Sequence, residues 1–301
     1  KNIILIPFLT LIACNAIANT QYNTKVVHEF IEYMVNKHDF DSKELRALFD
    51  NIKEEKRLKK FFKKAPERRL TWNGCKPSEK QCINYKGLFV TEHNIQNGKI
   101  FINENYKVLK KAEDIFGVPK EIIVAIIGIE TRYGKNLGSF KTFDTLASLS
   151  VGPNKGRRAK FYRTELENFL LLCRENNLNP LSIKGSYAGA LGKPQFISSS
   201  YRNYAIDFDG DNYADLWSSN SDVIGSVANY LKRNGWIRDG LILTDLKVRN
   251  NKKILDKLSK KTYKPHTKYQ EYTRMNIKTS SSIDSDEILS VIKRLEGEIN
   301  V

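Results

Sequence analysis

Nowhere in its 301 residues does this chain carry an apolar run long enough to cross a bilayer. It has four histidines, His28, His38, His93 and His266, scattered along its length. Its four cysteines follow no zinc-type spacing, so a His- or Cys-based metal centre is not expected. The Gly-Lys-Ser/Thr ending of a phosphate loop is missing. There is no internal repeat and no low-complexity segment. Acidic residues are also short: 34 Asp and Glu stand against 50 Lys and Arg, a formal net charge of +16. Such a balance favours an anionic partner, whether nucleic acid, a membrane surface or an acidic polymer such as a cell wall.

What is present begins with a leader. Ile3 to Ala13 is apolar apart from Pro7 and Thr10, with Lys1 before it. That length suits the core of a signal peptide rather than a membrane span. Two processing signals overlap. Leu11-Ile12-Ala13-Cys14 reads as a lipobox, in which Cys14 is lipidated, and this is the favoured expectation. Ala16-Ile17-Ala18 reads as an ordinary cleavage site, which would leave a soluble product. Export makes nucleic acid a poor partner. Cys75 and Cys82 bracket a short polar loop and could pair in an oxidising compartment. Cys173 lies on an apolar helix and reads as a buried free thiol.

The most informative stretch is Val118 to Gly134, V-P-K-E-I-I-V-A-I-I-G-I-E-T-R-Y-G. Pro119 suits a first helical turn, where its missing N–H would be unpaired anyway. Ile122 to Ile129 is apolar apart from Gly128, which predicts a buried helix. Glu130 ends it, on a face shared with Ile123, Ile126 and Ile127. Burying a carboxylate without a partner costs free energy or raises its pKa. A carboxylic acid kept protonated is what a general acid needs. The structural alternative is a Glu paired with Arg132 or a distant Lys.

Elsewhere the pattern is helical. Residues around Val26 to Val35, Leu45 to Ile52 (capped by Asp41 or Ser42), Asn105 to Phe116 (ended by Gly117) and Arg158 to Cys173 all read as helices. A further helix is expected after Ser221 or Asp222, with Val223, Val227, Tyr230 and Leu231 as its apolar stripe, and a last one from about Asp284 to Leu295. Glu165 and Glu167 should be solvated or ion-paired. Gly185 to Tyr204 mixes glycines with aromatics and hydroxyls. Such a segment suits sugar binding, where rings stack on the pyranose and amides pair with hydroxyls; a tight loop between packed helices would use the same glycines. Asp207-Phe208-Asp209-Gly210-Asp211-Asn212-Tyr213 follows. Carboxylates at positions one, three and five, with a backbone carbonyl at seven, match the start of an EF-hand-type calcium loop. Asn212 stands at position six, usually glycine, and Ser218 at position twelve, usually glutamate; Asp222 could close the site instead.

Taken together, I-I-G-I-E-T-R-Y-G, G-S-Y-A-G-A-L-G-K-P-Q-F-I-S-S-S-Y, Y-A-I-D-F-D-G-D, D-L-W and S-V-A-N-Y-L-K-R-N-G-W resemble the membrane-bound lytic transglycosylases B of the bacterial cell wall, the MltB type. F-V-T-E-H-N-I-Q-N-G and G-V-P-K-E-I-I agree, and the similarity covers roughly Val26 to Gly240. The resemblance implies a mainly α (α+β) fold: a lysozyme-like catalytic core, an additional helical domain and a small strand-containing domain. The expected divisions are a leader at 1–18, an N-terminal helical region at 19–104, the core with its EF-hand-like loop at 105–240, and a C-terminal region at 241–301 completing the groove. Glu130 would be the single acid and base, cleaving the bond between N-acetylmuramic acid and N-acetylglucosamine and leaving a 1,6-anhydromuramyl product. Ser186 and Gln195 would contact the substrate N-acetyl group or the Glu, with Tyr187 in the same substrate-binding segment. Tyr230 would help to position Glu130. Asp207, Asp209, Asp211, Asp222 and the Tyr213 carbonyl would hold a structural Ca2+, with no organic cofactor. The partners implied are peptidoglycan glycan strands and other cell-wall enzymes, in the periplasm, with a lipid anchor on Cys14 in the outer membrane. One departure stands out: the family's T-R-Y-N is T-R-M-N here, with Met275 where a groove-lining tyrosine is usual. An intramolecular hydroxyl nucleophile also explains why no second carboxylate sits in the groove-forming motifs.

Overall fold

The computed structural model describes residues 24–52, 57–58, 70–71, 83–151, 157–243, 246–247, 267–275, 277–279 and 289–290. The leader, Cys14, Ala18, Cys75 and Cys82 lie outside the described residues. The protein is mainly helical. Among the described residues we number the helices α1 Thr24–His38, α2 Ser42–Asp50, α3 Tyr85–Phe89, α4 Glu92–Glu104, α5 Tyr106–Phe116, α6 Lys120–Thr131, α7 Thr142–Ser150, α8 Arg157–Glu175, α9 Ser198–Tyr204, α10 Asn220–Arg233 and α11 Tyr269–Arg274. The strands among the described residues are two residues each: β1 Leu70–Thr71, β2 Ile83–Asn84, β3 Phe140–Lys141, β4 Lys184–Gly185, β5 Leu246–Lys247, β6 Thr267–Lys268, β7 Lys278–Thr279 and β8 Leu289–Ser290.

Two compact units result, each made of two pieces of chain. One contains Lys1–Glu55 and Lys141–Ile183, the other Lys56–Phe140 and Lys184–Val301. These units divide the chain differently from the expected boundaries at 18, 104 and 240.

In the first unit, α7 and α8 form a closely packed pair, and α1 packs on α2. Asp41 caps α2 by accepting from the Lys43 and Glu44 N–H groups at 2.7 and 2.9 Å. Phe30, Phe49 and Phe143 form an edge-to-face chain, with centroids 5.9 and 5.4 Å apart. Leu146, Leu166, Phe169 and Leu170 fill the core around Phe143 with almost no exposed surface. Burying each such side chain contributes about 1.5–3 kcal/mol. The Thr142 N–H donates to Ile183 O at 3.0 Å, closing the inserted segment on itself. Glu165 is buried rather than solvated. Glu167 is paired as expected: Oε1 accepts from Tyr33 Oη and Lys37 Nζ at 2.9 and 3.0 Å and lies 2.8 Å from His38 Nε2. Burial works to raise its pKa, but the bonds from His38, Lys37 and Tyr33 hold it below the usual carboxylate value.

In the second unit, α10 packs along α5 and also meets α6 and α9, while α4 covers another face of α6. Thr91 caps α4, and α5 ends at Gly117 with φ 71°, the left-handed residue that a helix C-terminus favours. Arg238 Nη2 donates to the Asp114 carbonyl at 2.7 Å, satisfying one of the acceptors left open at that end. Helix α10 starts earlier than the sequence suggests. Its cap is Ser219, whose extended backbone lets the hydroxyl accept from the Asp222 N–H at 3.2 Å. Strands β1 and β2 pair in parallel (Leu70 with Ile83), β5 and β7 antiparallel (Leu246 with Thr279), and β6 and β8 antiparallel (Thr267 with Ser290). Of the helix expected from Asp284 to Leu295, only Leu289–Ser290 is among the described residues, and those two form a strand.

Candidate active site

Helix α6 begins at Pro119, whose carbonyl accepts from the Ile122 and Ile123 N–H groups. It is not buried all round. Ile123, Val124, Ile127 and Thr131 form the buried face, packed toward α4, α5 and α10. Ala125, Ile129 and Glu130 lie on the opposite, open side, with Ile122 and Ile126 at its margin. The apolar run thus serves both a core face and an exposed apolar margin beside the carboxylate, with Ile129 43% exposed.

Among the described residues no side chain hydrogen-bonds to or ion-pairs with Glu130. Arg132, the alternative partner, has a left-handed backbone at φ 52° and makes no ion pair with Glu130. The Glu130 carboxyl is raised above the ordinary carboxylate range, and burial is the cause. The residue as a whole is exposed, yet the protein mass around its carboxyl displaces part of the hydration shell. A half-desolvated, unpartnered carboxyl that water can still reach is suited to exchanging protons with a bound substrate.

The chain after Glu130 is unusual. Arg132, Tyr133 and Gly134 all have positive φ, at 52°, 60° and 86°. Thr131, buried, anchors this turn: its hydroxyl donates to Lys193 O at 2.8 Å and accepts from the Gly134 N–H at 3.0 Å. The Tyr133 ring stacks on Phe101, with centroids 5.3 Å apart.

The glycine-aromatic segment faces this turn through backbone. A Cβ on Gly138 would stand 2.1 Å from Gly185 O, so only glycine allows that approach. Gln195, at φ 51°, donates from Nε2 to Gly192 O at 3.0 Å and Leu137 O at 3.4 Å. Ser186 Oγ accepts from the Ala188 and Ala190 N–H groups at 3.2 and 3.0 Å, which closes its own loop. Tyr187 is half-buried beside it. Tyr230, on α10, packs its ring against Phe196 and Tyr204, with centroids at 5.4 and 5.0 Å. No hydrogen bond joins Tyr230 to Glu130 among the described residues. Met275 closes α11 and is 46% exposed.

In the acidic loop, one oxygen each from Asp207, Asp209 and Asp211 lie within 4.8 Å of one another. The Asp207 carboxylate accepts from the Gly210, Asp211 and Asn212 N–H groups at 2.6, 3.2 and 2.7 Å, and those bonds, Gly210 first, hold its pKa low. Asn212 takes the left-handed conformation at φ 72°, as position six of such a loop requires. The Tyr213 N–H donates to Asp211 at 2.8 Å. Asp222 adjoins the loop at Asp209. It is fully buried, with Oδ1 accepting from the Phe208 N–H at 2.7 Å and Oδ2 from the Asp215 N–H at 2.8 Å. Asp215, not singled out from sequence, accepts from the Trp217 and Ser218 N–H groups at 2.8 and 2.9 Å. Lys111 clamps the loop from α5, donating to Phe208 O at 3.0 Å with its ammonium over the Phe208 ring.

The chain matches the model of the transglycosylase SLT domain over residues 23–297. It is 42% identical over 218 residues to the membrane-bound lytic murein transglycosylase B of Escherichia coli (strain K12), which is 72% of this chain and 59% of that protein. It therefore spans about three-fifths of that relative's length. Among solved structures, it is similar to the soluble lytic transglycosylase SltB1 from Pseudomonas aeruginosa, with a TM-score of 0.72 and 34% identity, over 85% of this chain and 82% of that one. The Escherichia coli lytic transglycosylase Slt35 in complex with calcium is similar at a TM-score of 0.74 and 32% identity, over 93% of this chain and 85% of that one.

Proposed function

The chain belongs to the transglycosylase SLT domain family, and on that premise we propose that it is a peptidoglycan lytic transglycosylase with Glu130 as its single acid and base. The observation that carries the reading is the Glu130 carboxyl: open to solvent on α6, without a partner among the described residues, and raised in pKa by burial. Protonated, it donates to the glycosidic oxygen between N-acetylmuramic acid and N-acetylglucosamine as the C1–O bond breaks. The resulting carboxylate then accepts the proton of the muramyl C6 hydroxyl as its oxygen closes on C1. No water is consumed, and the product carries a 1,6-anhydro ring.

Most glycoside hydrolases need a second carboxylate as nucleophile or base. Of the two carboxylates on α8, Glu165 is buried, and Glu167 is held by Tyr33, Lys37 and His38. An intramolecular hydroxyl needs neither. Ser186, Tyr187, Gln195 and Tyr230 are the residues proposed to line the substrate, with Tyr230 orienting Glu130 through its helix. The net charge of +16 suits a polymer whose peptide stems carry free carboxylates.

A structural Ca2+ at Asp207, Asp209 and Asp211, with the Tyr213 carbonyl, fits the donor set, since converging carboxylate oxygens match a hard cation. Asp222 is proposed to complete the ligand set, while its bonds from the Phe208 and Asp215 N–H groups fix the loop. A neighbour at 32% identity was solved as a calcium complex, which supports the same ion here. No helix among the described residues is long and apolar enough to cross a membrane. We place the protein in the periplasm, anchored by lipid at Cys14, or soluble after cleavage at Ala18, alongside other cell-wall enzymes.

Mass spectrometry of digested peptidoglycan tests the reaction. Anhydromuramyl ends, lighter by one water than reducing ends, are expected. Reducing ends would make water the acceptor, and digestion by a Glu130→Gln variant would remove Glu130 from its role.

A further inference from the structure

Glu130 makes no bond among the described residues that fixes its carboxyl, so its position depends on the backbone that carries it. That backbone runs straight into three left-handed residues, Arg132, Tyr133 and Gly134. Two of them have side chains, and each costs roughly 1–2 kcal/mol in that conformation. The turn must therefore be held by contacts from outside α6, and residues that supply those contacts decide where Glu130 points.

One side of the turn is held by Tyr133 against α4. The other side is held at Lys193, in the glycine-aromatic segment, through four hydrogen bonds and one packing contact. Its carbonyl accepts from the Thr131 hydroxyl at 2.8 Å. Its N–H donates to Leu216 O at 2.8 Å. Its ammonium donates to Ser218 O at 2.9 Å and to Asn220 Oδ1 at 2.6 Å. Its methylenes lie along Gly134, where an added Cβ would come within 3.0 Å of Lys193 Cε. Asn220 is itself fixed to α5's start by its Nδ2, 3.2 Å from Asn105 Oδ1. The ammonium is half-buried, and burial lowers its pKa while Asp215 opposes the shift. An ammonium taken partly out of water and given two oxygens is a fixed strut, not a solvated lysine.

We propose that Lys193 is a positioning residue for Glu130, acting through Thr131 to set the turn that ends α6. This rests on the assignment of Glu130 as the acid. Lys193 does not touch the carboxyl; it joins the residue after Glu130 to the start of α10. A general acid must sit within hydrogen-bond reach of the glycosidic oxygen, and a misplacement of about 1 Å costs about 10²-fold in rate. Losing the strut allows a smaller shift, so the loss is about tenfold.

The test is steady-state kinetics on soluble peptidoglycan fragments with four proteins: wild type, Lys193→Met, Thr131→Val and the double variant. Lys193→Met keeps the methylenes and the backbone attachments and deletes only the ammonium. The expected result is a kcat lowered about tenfold with KM within about twofold, at a temperature well below the melting transition. Thr131→Ser, which keeps the hydroxyl, should retain most of the activity that Thr131→Val loses. The double variant should be no slower than the slower single one, because both changes cut the same tether. Wild-type kcat in Lys193→Met, or losses that multiply in the double variant, would overturn the proposal. Should Lys193→Met fold too poorly to assay, Asn220→Leu removes one acceptor of the same ammonium and should show the same split. Glu130→Gln runs alongside: activity there sinks the acid assignment itself, whereas its inactivity with an unchanged Lys193→Met sinks only the strut.

Discussion

Tyr133 lies against Gly128, the residue one helical turn before Arg132, so closely that a Cβ on Gly128 would stand 2.6 Å from the phenol oxygen and 2.7 Å from Cζ. Gly98 on α4 meets the same phenol: a Cβ there would be 2.9 Å away. The ring therefore fills a slot made by two glycines on two helices, capped by Phe101. This explains a glycine inside an otherwise apolar helix, where it costs about 1 kcal/mol against alanine.

Gly128→Ala should consequently destabilise the protein despite its better helix propensity. Filling the slot pushes Tyr133 out, an overpacking change of about 1–3 kcal/mol. Because Tyr133 sits three residues from Glu130 in a strained turn, activity should fall further than stability accounts for. Tyr133→Phe is the control. It removes only a long bond from the phenol to Asn94 O, at 3.4 Å, and should cost less than about 1 kcal/mol. Thermal melts and digestion assays on both variants check this. A stabilised, fully active Gly128→Ala would show that the slot is loose.

The Glu130 carboxyl should make stability depend on pH in a defined direction. Burial raises its folded-state pKa above the unfolded value. The folded chain then binds that proton more tightly, so the contribution is fully present below the unfolded pKa and is lost as pH rises through the folded pKa. Glu130→Gln removes the ionisation. It should melt higher than wild type at neutral pH and at the same temperature below about pH 4.3, where the wild-type carboxyl is protonated in both states. Activity of the wild type should decline on the alkaline side as the same pKa is passed, because the acid loses its proton. Melting curves and rates across pH read both. A melting difference that is the same at every pH would mean that the glutamine acts through packing instead.

Much of this was legible in the sequence because it rested on local patterns. Glu130 at the end of an isoleucine run, the Asp207–Asp209–Asp211 spacing, Asn212 in the left-handed position and the Asp41 cap all depend on residues within a few positions of one another. What stayed hidden depended on distance along the chain. Nothing near Lys193 announces that its carbonyl meets Thr131, 62 positions away. The spacing of Asp222 offers a ligand, but not the bonds that its two oxygens accept from the Phe208 and Asp215 N–H groups, which form only once α10 packs on the loop. Helix α6 looked buried all round because hydropathy counts isoleucines without knowing that Ile129 lies on an open face. Leu289–Ser290, expected within a helix, is a strand because it finds a partner at Thr267–Lys268, which local propensity does not register.

Cys173 offers a direct probe of the first unit. It is a buried free thiol on α8, and burial pushes its pKa up to about 12. A thiol that is neither ionised nor reachable does not react. The native protein should therefore leave Cys173 unmodified by iodoacetamide at neutral pH, and labelling should appear only as denaturant unfolds that unit. Peptide mass mapping at Cys173 is the measurement. Rapid labelling under native conditions would mean that α8 opens far more readily than its packing on α7 implies.

Asp222 should matter to stability more than any single member of the acidic cluster. Its two oxygens accept from N–H groups seven residues apart, at the two ends of the acidic loop, and the side chain has no exposed surface. Asp222→Asn keeps one acceptor and turns an amide N–H₂ toward the other donor, leaving one buried N–H unmatched at about 1–3 kcal/mol. Asp222→Ala strands both donors and opens a cavity, so its cost should be larger. Asp209→Asn, at an exposed position whose bond is to Ser219 Oγ at 2.7 Å, should have a small effect without cation. Melts with Ca2+ and with chelator separate the roles. Wild type should gain stability with Ca2+, in proportion to RT ln(1 + [L]/Kd); Asp209→Asn should lose that gain while keeping its baseline. Asp222→Ala should lose both, because a loop released at its ends no longer brings the three carboxylates together. Equal baselines for Asp222→Ala and wild type would show that the Phe208 and Asp215 bonds are not what closes the loop.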